Sequence, residues 1–62
     1  MEITWFSDGS THYAYVNKTY TGYWVADSDG TARLHVNSKP LEVFSQLAHA
    51  KEAAETDIKR YF

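Results

Sequence analysis

Three tyrosines are the residues of this chain whose type and spacing could support a function. Tyr13 and Tyr15 occupy alternate positions of one stretch rich in aromatic and β-branched residues, and Tyr23 lies in the next such stretch. Residues two apart in a strand point to the same side of a sheet. Alternation therefore predicts that these rings share one face with Arg33 and His35 of a later strand.

This predicted tyrosine face has two functional interpretations and one structural interpretation. Tyrosine buries a large area at a small cost in side-chain entropy and is enriched at binding hot spots, which favours a protein partner. Sheets that carry exposed aromatic rings also bind single-stranded nucleic acids, whose bases stack on the rings. Ordinary cross-strand packing of aromatic side chains explains the same pattern without a partner. The sequence leaves all three interpretations open.

Neither catalysis nor metal binding has a recognisable motif in this sequence. The chain contains no cysteine to supply a thiolate ligand, and its three histidines are far apart and lie in no nucleophile signature. Residues 27–30 resemble the beginning of a calcium loop, but Val25 and Val36 occupy positions at which that loop requires carboxylates. We therefore predict a non-enzymatic protein with no cofactor and no bound metal.

Length and charge restrict the partners that this chain can bind. A chain of 62 residues forms one domain, and a domain this small buries only about 60% of its unfolded surface. A second copy of the chain would supplement such a small core, so a homodimer is retained as an alternative. The formal net charge of −2 and the scattered lysines and arginines disfavour nucleic acid as a partner without excluding it.

The sequence shows neither a membrane-spanning segment nor a signal peptide. No apolar run approaches the roughly 18–20 residues that a membrane span needs. The first six residues lack the basic region of a signal peptide. We therefore expect a cytoplasmic protein that makes no contact with a membrane.

Turn-forming residues divide the first part of the chain into strands. Segments rich in β-branched and aromatic residues alternate with turn signals at residues 7–10, 17–18 and 27–30. The second signal predicts a two-residue turn, and the third predicts a type I turn followed by a left-handed Gly30. Gly22 lies within a strand and predicts a bulge or close packing against an aromatic ring. The predicted strands cover approximately residues 2–6, 11–16, 20–26 and 31–36.

The C-terminal part of the chain predicts one helix. Ala, Glu and Lys are frequent there, and Ser45 is the preferred N-cap, with Phe44 packing back onto the helix. Residues 41–44 fit either a short edge strand or the first helical turn. Tyr61 and Phe62 are expected to fold back against the sheet. The helix covers approximately residues 45–60 and carries one apolar stripe, which consists of Leu47, Ala50, Ala54, Ile58 and Tyr61.

Together these elements predict one α+β domain over residues 1–62. Its expected architecture is a three- to four-stranded antiparallel β-meander followed by one C-terminal α-helix packed on one sheet face. One apolar helical stripe covers only one face, so the tyrosine group is expected on the other. The residues expected on the covered face are Ala14, Val16, Trp24, Leu34 and Val36.

The segment in which the sheet meets the helix, residues 43–55, carries a family resemblance. Phe44 to Lys51 resembles the pattern Phe-[Ser/Asp/Thr]-x-Leu-x-x-Ala-Lys that ends many very small phage and prophage proteins of strand-meander-plus-helix type. Trp5, the Tyr- and Trp-rich strands and the Asp-Gly turn fit the same pattern. The resemblance implies an accessory protein of phage origin, a group that includes inhibitors of host machinery such as anti-CRISPR and other counter-defence factors.

The order of a three-stranded sheet and a helix is also similar to the arm-binding domain of tyrosine recombinases. That resemblance would imply nucleic-acid binding. The chain departs from the recombinase pattern because it lacks the basic N-terminal arm and has a negative net charge.

The sequence thus predicts a small protein-binding module that binds or inhibits a host or phage protein. A nucleic-acid-binding module and a self-associating structural subunit are the two alternatives. The predicted contact residues are Tyr13, Tyr15, Tyr23, Arg33 and His35.

Overall fold

The computed structural model describes residues 1–62 as five strands followed by one helix. The sheet is antiparallel, and the order of its strands follows the order of the chain. The predicted meander with a C-terminal helix is therefore confirmed, but the predicted strand count is too low. The elements are β1 (Ile3–Asp8), β2 (Thr11–Val16), β3 (Thr19–Ser28), β4 (Thr31–Val36), β5 (Lys39–Phe44) and α1 (Leu47–Tyr61).

All the strand connections are two-residue turns, and each contains a residue with positive φ. Asn17 and Lys18 both have positive φ, as a type I′ turn requires, and this confirms the predicted turn. The turn at Gly30 is tighter than predicted, because Asp29 also has positive φ and these two residues form the whole loop. Such short loops hold each strand beside the preceding one in a fixed register.

Residues 39–44 form β5 at the edge of the sheet. This strand pairs with β4, and Leu41 is an extra residue without a partner in β4. Pro40 fits an edge strand, because it lacks the N–H that a central strand would have to donate. The segment that fitted either a strand or a helical turn is therefore a strand, and it raises the strand count to five.

The helix α1 begins later than predicted. Gln46 is its N-cap residue, with extended backbone angles (φ −137°, ψ 139°), and no side chain caps the first turn. The predicted cap at Ser45 is therefore wrong. Tyr61 and Phe62 are 70% and 59% exposed, so they do not fold back against the sheet. The helix is not both long and apolar enough to cross a membrane.

The core lies between α1 and one face of the sheet. Many of its buried side chains are alanines, and small side chains at a contact allow two elements to approach closely. The residues without exposed surface are Ala14, Val25, Ala32, Ala50, Ala54 and Ile58. The aliphatic residues predicted for the covered face, Ala14, Val16, Leu34 and Val36, all contribute to this core.

Trp5 connects β1 to the helix, which lies mainly over β3, β4 and β5. The Trp5 Nε1–H donates a hydrogen bond to Glu55 Oε2 at 2.8 Å. The Lys51 ammonium lies 5.4 Å from the centroid of the same ring, within the range of a cation–π contact. These contacts hold the first hairpin against α1. Because α1 is the one helix and packs on this side, the opposite side of the sheet has no covering element.

Candidate functional site: an aromatic sheet face

The face of the sheet opposite α1, called here the open face, carries a continuous group of aromatic side chains. Residues paired across neighbouring strands point to the same face of a sheet. One row across the sheet consists of Phe6, Tyr13, Trp24 and His35, and a second row consists of Thr4, Tyr15 and Tyr20.

Tyr23 does not belong to the open face. Its side chain is only 6% exposed and lies in the core beneath α1. The predicted placement is wrong because a two-residue turn pairs an odd-numbered residue with an even-numbered one, as it pairs Tyr15 with Tyr20. Tyr23 therefore shares the face of Ala14, and Trp24, which was expected on the covered face, points to the open face.

The other predicted contact residues do lie on the open face. Tyr13 and Tyr15 are half-buried there and stand beside Tyr20. Arg33 is exposed, and His35 is half-buried against Trp24. Their placement agrees with the sequence, and their role as partner contacts stays a prediction.

A bulge in β3 determines where Trp24 lies. Thr21, Gly22 and Tyr23 lie opposite the single residue Ala14. The Thr21 hydroxyl donates to the Ala14 carbonyl at 2.9 Å and accepts from the Tyr23 N–H at 3.2 Å. These polar groups are therefore paired although the ladder is interrupted, and the bulge indicated by Gly22 is confirmed.

The backbone of Asn37 fastens this bulge to the turn after β4. Its N–H donates to the Gly22 carbonyl at 2.7 Å, and its carbonyl accepts from Trp24 Nε1 at 2.6 Å. The Trp24 ring also stacks on His35, with 4.0 Å between the ring centroids and 7° between the planes. The indole is therefore held rigidly, with one face and its N–H occupied.

Tyr20 lies between the other two tyrosines of the open face. Its ring centroid is 5.8 Å from that of Tyr13 and 5.6 Å from that of Tyr15, in edge-on and tilted geometries. Burial, followed by the neighbouring Tyr13 and Tyr15 phenols, raises the pKa of Tyr20 above its ordinary value. The side chain is nevertheless 42% exposed, so it offers a neutral hydroxyl and a ring edge to a partner.

Charged side chains are sparse on the open face. Arg33 is the one charged residue between the strand ends, with Asp8 at the end of β1 and Lys18 in the turn after β2. Lys39 pairs with Val36 on the covered side, and Arg33 lies nearer the opposite end of the sheet from Lys18. The basic residues therefore form no patch of the kind that nucleic-acid binding favours.

A shallow depression of about 340 Å³ opens on the β1 side of the open face. Thr4, Phe6, Tyr15 and Lys18 line it, and Phe6 is 59% exposed. Thr4 is small among longer neighbours, which leaves the space above it. Neither Phe6 nor Tyr20 is among the contact residues predicted from the sequence, although alternation combined with the two-residue turn places Tyr20 beside Tyr15.

The open face offers groups that can stack, form hydrogen bonds and pair with an anion. It presents aromatic rings, phenol and threonine hydroxyls and isolated cations, and no cluster of His, Asp or Glu in the chain could hold a metal ion. Comparison of the chain with protein-family models, with curated proteins and with solved structures found no match. The fold defines a small antiparallel meander with a C-terminal helix.

Proposed function

We propose that this protein is a small non-enzymatic binding module whose open face contacts a partner protein. The observation that carries this proposal is the continuous aromatic surface on the side of the sheet that no helix covers. Contiguous exposed apolar surface marks interaction sites in proteins. The surface comprises Phe6, Tyr13, Tyr15, Tyr20, Trp24 and His35, with Arg33 as its one charged neighbour between the strand ends.

The rigidity of these rings favours a protein partner. Trp24 is held by its hydrogen bond to Asn37 and by its stacking on His35. Tyr20 is wedged between Tyr13 and Tyr15. Side chains that are already ordered lose little entropy on binding, and Tyr and Trp are the residues that dominate protein interfaces. Arg33 at the side of the group can pair with a carboxylate of the partner.

We also propose a biological role, that of a cytoplasmic phage or prophage accessory protein that binds or inhibits a host protein. Anti-CRISPR or another counter-defence activity is the specific form of this role. The support is the resemblance of residues 43–55 to the segment that ends very small phage proteins, together with the small size of the chain.

A capture experiment with two tyrosine variants tests the binding function. The immobilised wild-type chain should retain a specific protein from a bacterial lysate, and mass spectrometry identifies it. Tyr20→Ala should weaken the affinity for that purified protein at least about tenfold, because central interface tyrosines are hot spots. Tyr61→Ala is the matched control, since it removes an exposed tyrosine from the end of α1.

Two outcomes would contradict this function. One is the absence of any specifically retained protein at near-native concentrations. The other is an equal loss of affinity for Tyr20→Ala and Tyr61→Ala, which would place the contact away from the open face. Circular dichroism of each variant shows that a loss of binding does not come from unfolding.

A nucleic-acid-binding module is the second candidate, because aromatic rings on an open sheet face are able to stack on bases. Titration of tryptophan fluorescence with single-stranded and double-stranded DNA at two salt concentrations separates it from the first. Binding that weakens steeply with salt would favour nucleic acid. The dispersed basic residues lead us to expect no such binding.

A further inference from the structure

The two edge strands of the sheet differ in their protection against pairing with another chain. β5 carries Lys39, Pro40 and the unpaired Leu41, and charge, proline and irregularity all discourage pairing at an edge. β1 contains no charge and no proline from Ile3 to Ser7, and its register with β2 is regular. The helix lies mainly over β3 to β5, so it leaves the edge of β1 free.

The backbone groups available at the β1 edge belong to Ile3, Trp5 and Ser7. A two-residue hairpin is closed by a hydrogen-bonded pair, here Asp8 and Thr11, and such pairs then alternate with pairs that do not exchange hydrogen bonds. The even-numbered residues of β1 therefore bond to β2. The N–H and C=O groups of the three odd-numbered residues point away from the sheet.

A second β1 strand, antiparallel to the first along this edge, can form hydrogen bonds with the outward N–H and C=O groups of Ile3, Trp5 and Ser7 in a single register. In that register Trp5 lies opposite the partner's Trp5, and Ile3 lies opposite the partner's Ser7. The pairing is related by a two-fold axis that passes through the Trp5 pair, so the Ile3–Ser7 contact occurs twice. The strand is therefore complementary to itself.

The same register brings a protruding ring to a depression. Phe6 is 59% exposed, and the partner's Phe6 falls opposite Thr4. Thr4 lies in the depression that is lined also by Tyr15, Lys18 and the Phe6 of its own chain. The ring of the partner's Phe6 then continues the row formed by Tyr20, Tyr15 and Thr4 across the boundary between the copies.

We propose that the occupant of the β1 edge is a second copy of this chain. The two five-stranded sheets then form one continuous sheet, and the two open faces become one surface. This inference goes beyond the proposed function, because it concerns the edge of the sheet and holds with or without another partner on the open face.

The register also predicts an electrostatic signature. Glu2 precedes β1 and falls opposite the partner's Asp8, so like charges meet at both ends of the paired strands. Glu2→Gln should therefore tighten self-association, and added salt should tighten the wild-type dimer. If the β1 edge binds a strand of a different protein instead, the purified chain alone should show no change in mass with Glu2→Gln or with added salt.

The test measures the mass of the chain in solution over a concentration series. Sedimentation or light scattering should show a shift from 7.1 kDa to twice that mass. Phe6→Asp should weaken the self-association at least about tenfold. Val43→Asp is the matched control, because Val43 has the same 59% exposure and lies on β5 at the other edge.

A second pair of variants tests the backbone pairing. Ser7→Pro removes an outward N–H that β2 does not use, and should weaken the dimer. Ser7→Ala should not, although it also removes the hydrogen bond between Ser7 and His12. These two variants keep the test decisive if Phe6→Asp does not fold.

Two results would overturn the inference. One is a wild-type mass of 7.1 kDa at concentrations up to about 1 mM, where even weak association is visible. The other is an equal effect of Phe6→Asp and Val43→Asp. Capture of a protein from a lysate is independent of both results, so failure of the dimer and failure of the proposed function are distinguishable.

Discussion

The two faces of the sheet are built from different kinds of side chain. On the face beneath α1, the sheet positions without exposed surface are Ala14, Val25 and Ala32, and Leu34 and Tyr23 are nearly buried beside them. On the open face, Tyr13, Tyr20 and Trp24 form a layer of large rings that no element covers. The aromatic residues make up 16% of the chain, and most of the sheet's aromatic surface lies outside the core.

The side chains of the covered face therefore mainly stabilise the fold, whereas the rings of the open face are available for binding. The contact between α1 and the sheet contains alanines from both elements, so it depends on close packing and tolerates little change in volume. Rings on an uncovered face shield one side of the sheet only partly, so their remaining surface is available to another molecule. Substitutions on the two faces should therefore have different consequences.

The largest expected effect lies in the core between α1 and the covered face. Ile58→Ala removes the largest fully buried side chain and should reduce the free energy of unfolding by about 2–5 kcal/mol. Val43→Ala on the open face, where the side chain is 59% exposed, should change it by less than about 0.5 kcal/mol. Urea denaturation measures both values. Similar losses for the two variants would show that the faces contribute equally to stability.

Gly22 lies buried within the bulge of β3, and its substitution should have the next largest effect. A Cβ there would be 2.8 Å from Asn37 Oδ1, with φ at +91°, so Gly22→Ala should cost about 1–3 kcal/mol. Gly9→Ala isolates the cost of backbone conformation, because Gly9 also has positive φ but has no atom within 4 Å of the added Cβ. Thermal unfolding should show a larger loss at Gly22, and an equal loss would refute the role of Asn37.

The smallest expected effect is a dependence of stability on alkaline pH. Burial, followed by the nearby Asp57 carboxylate, raises the pKa of Tyr23. The folded state then holds the phenol proton more tightly than the unfolded chain. The resulting stability is complete below the unfolded tyrosine pKa of about 10 and is lost as pH rises through the higher folded value.

Two substitutions compare the faces in this pH range. Tyr23→Phe should flatten the loss of thermal stability above about pH 10. Tyr20→Phe should flatten it less, because Tyr20 also has a raised pKa but is 42% exposed. Unfolding curves recorded at increasing pH measure both slopes, and an equal or larger effect at Tyr20 would reverse the expected order.

Much of the fold follows from turn chemistry and alternation. Asn17 and Lys18 tolerate the positive φ of a tight turn, and Gly22 indicates the bulge. Ala14 and Leu34 lie on the covered face as alternation requires. Local patterns succeeded here because each of them depends on residues that are adjacent in sequence.

The predictions that were wrong or left open each needed two patterns together, such as alternation within a strand and the geometry of the neighbouring turn. Tyr23 was misplaced because alternation was applied to each strand separately, without the change of parity across a two-residue turn. Ser45 is a good N-cap residue, yet β5 extends to Phe44 and moves the start of α1 beyond it. Residues 41–44 fitted either a strand or a helical turn, and only their pairing with β4 shows that they form an edge strand.

The two-residue turns have a consequence for the speed and order of folding. Every strand pairs with the strand before it, so the sheet forms through contacts between residues close in sequence. Loop closure is then cheap, and a low contact order favours rapid folding. The helix follows the meander in the chain, so during synthesis all five strands leave the ribosome before the segment that covers one side of the sheet.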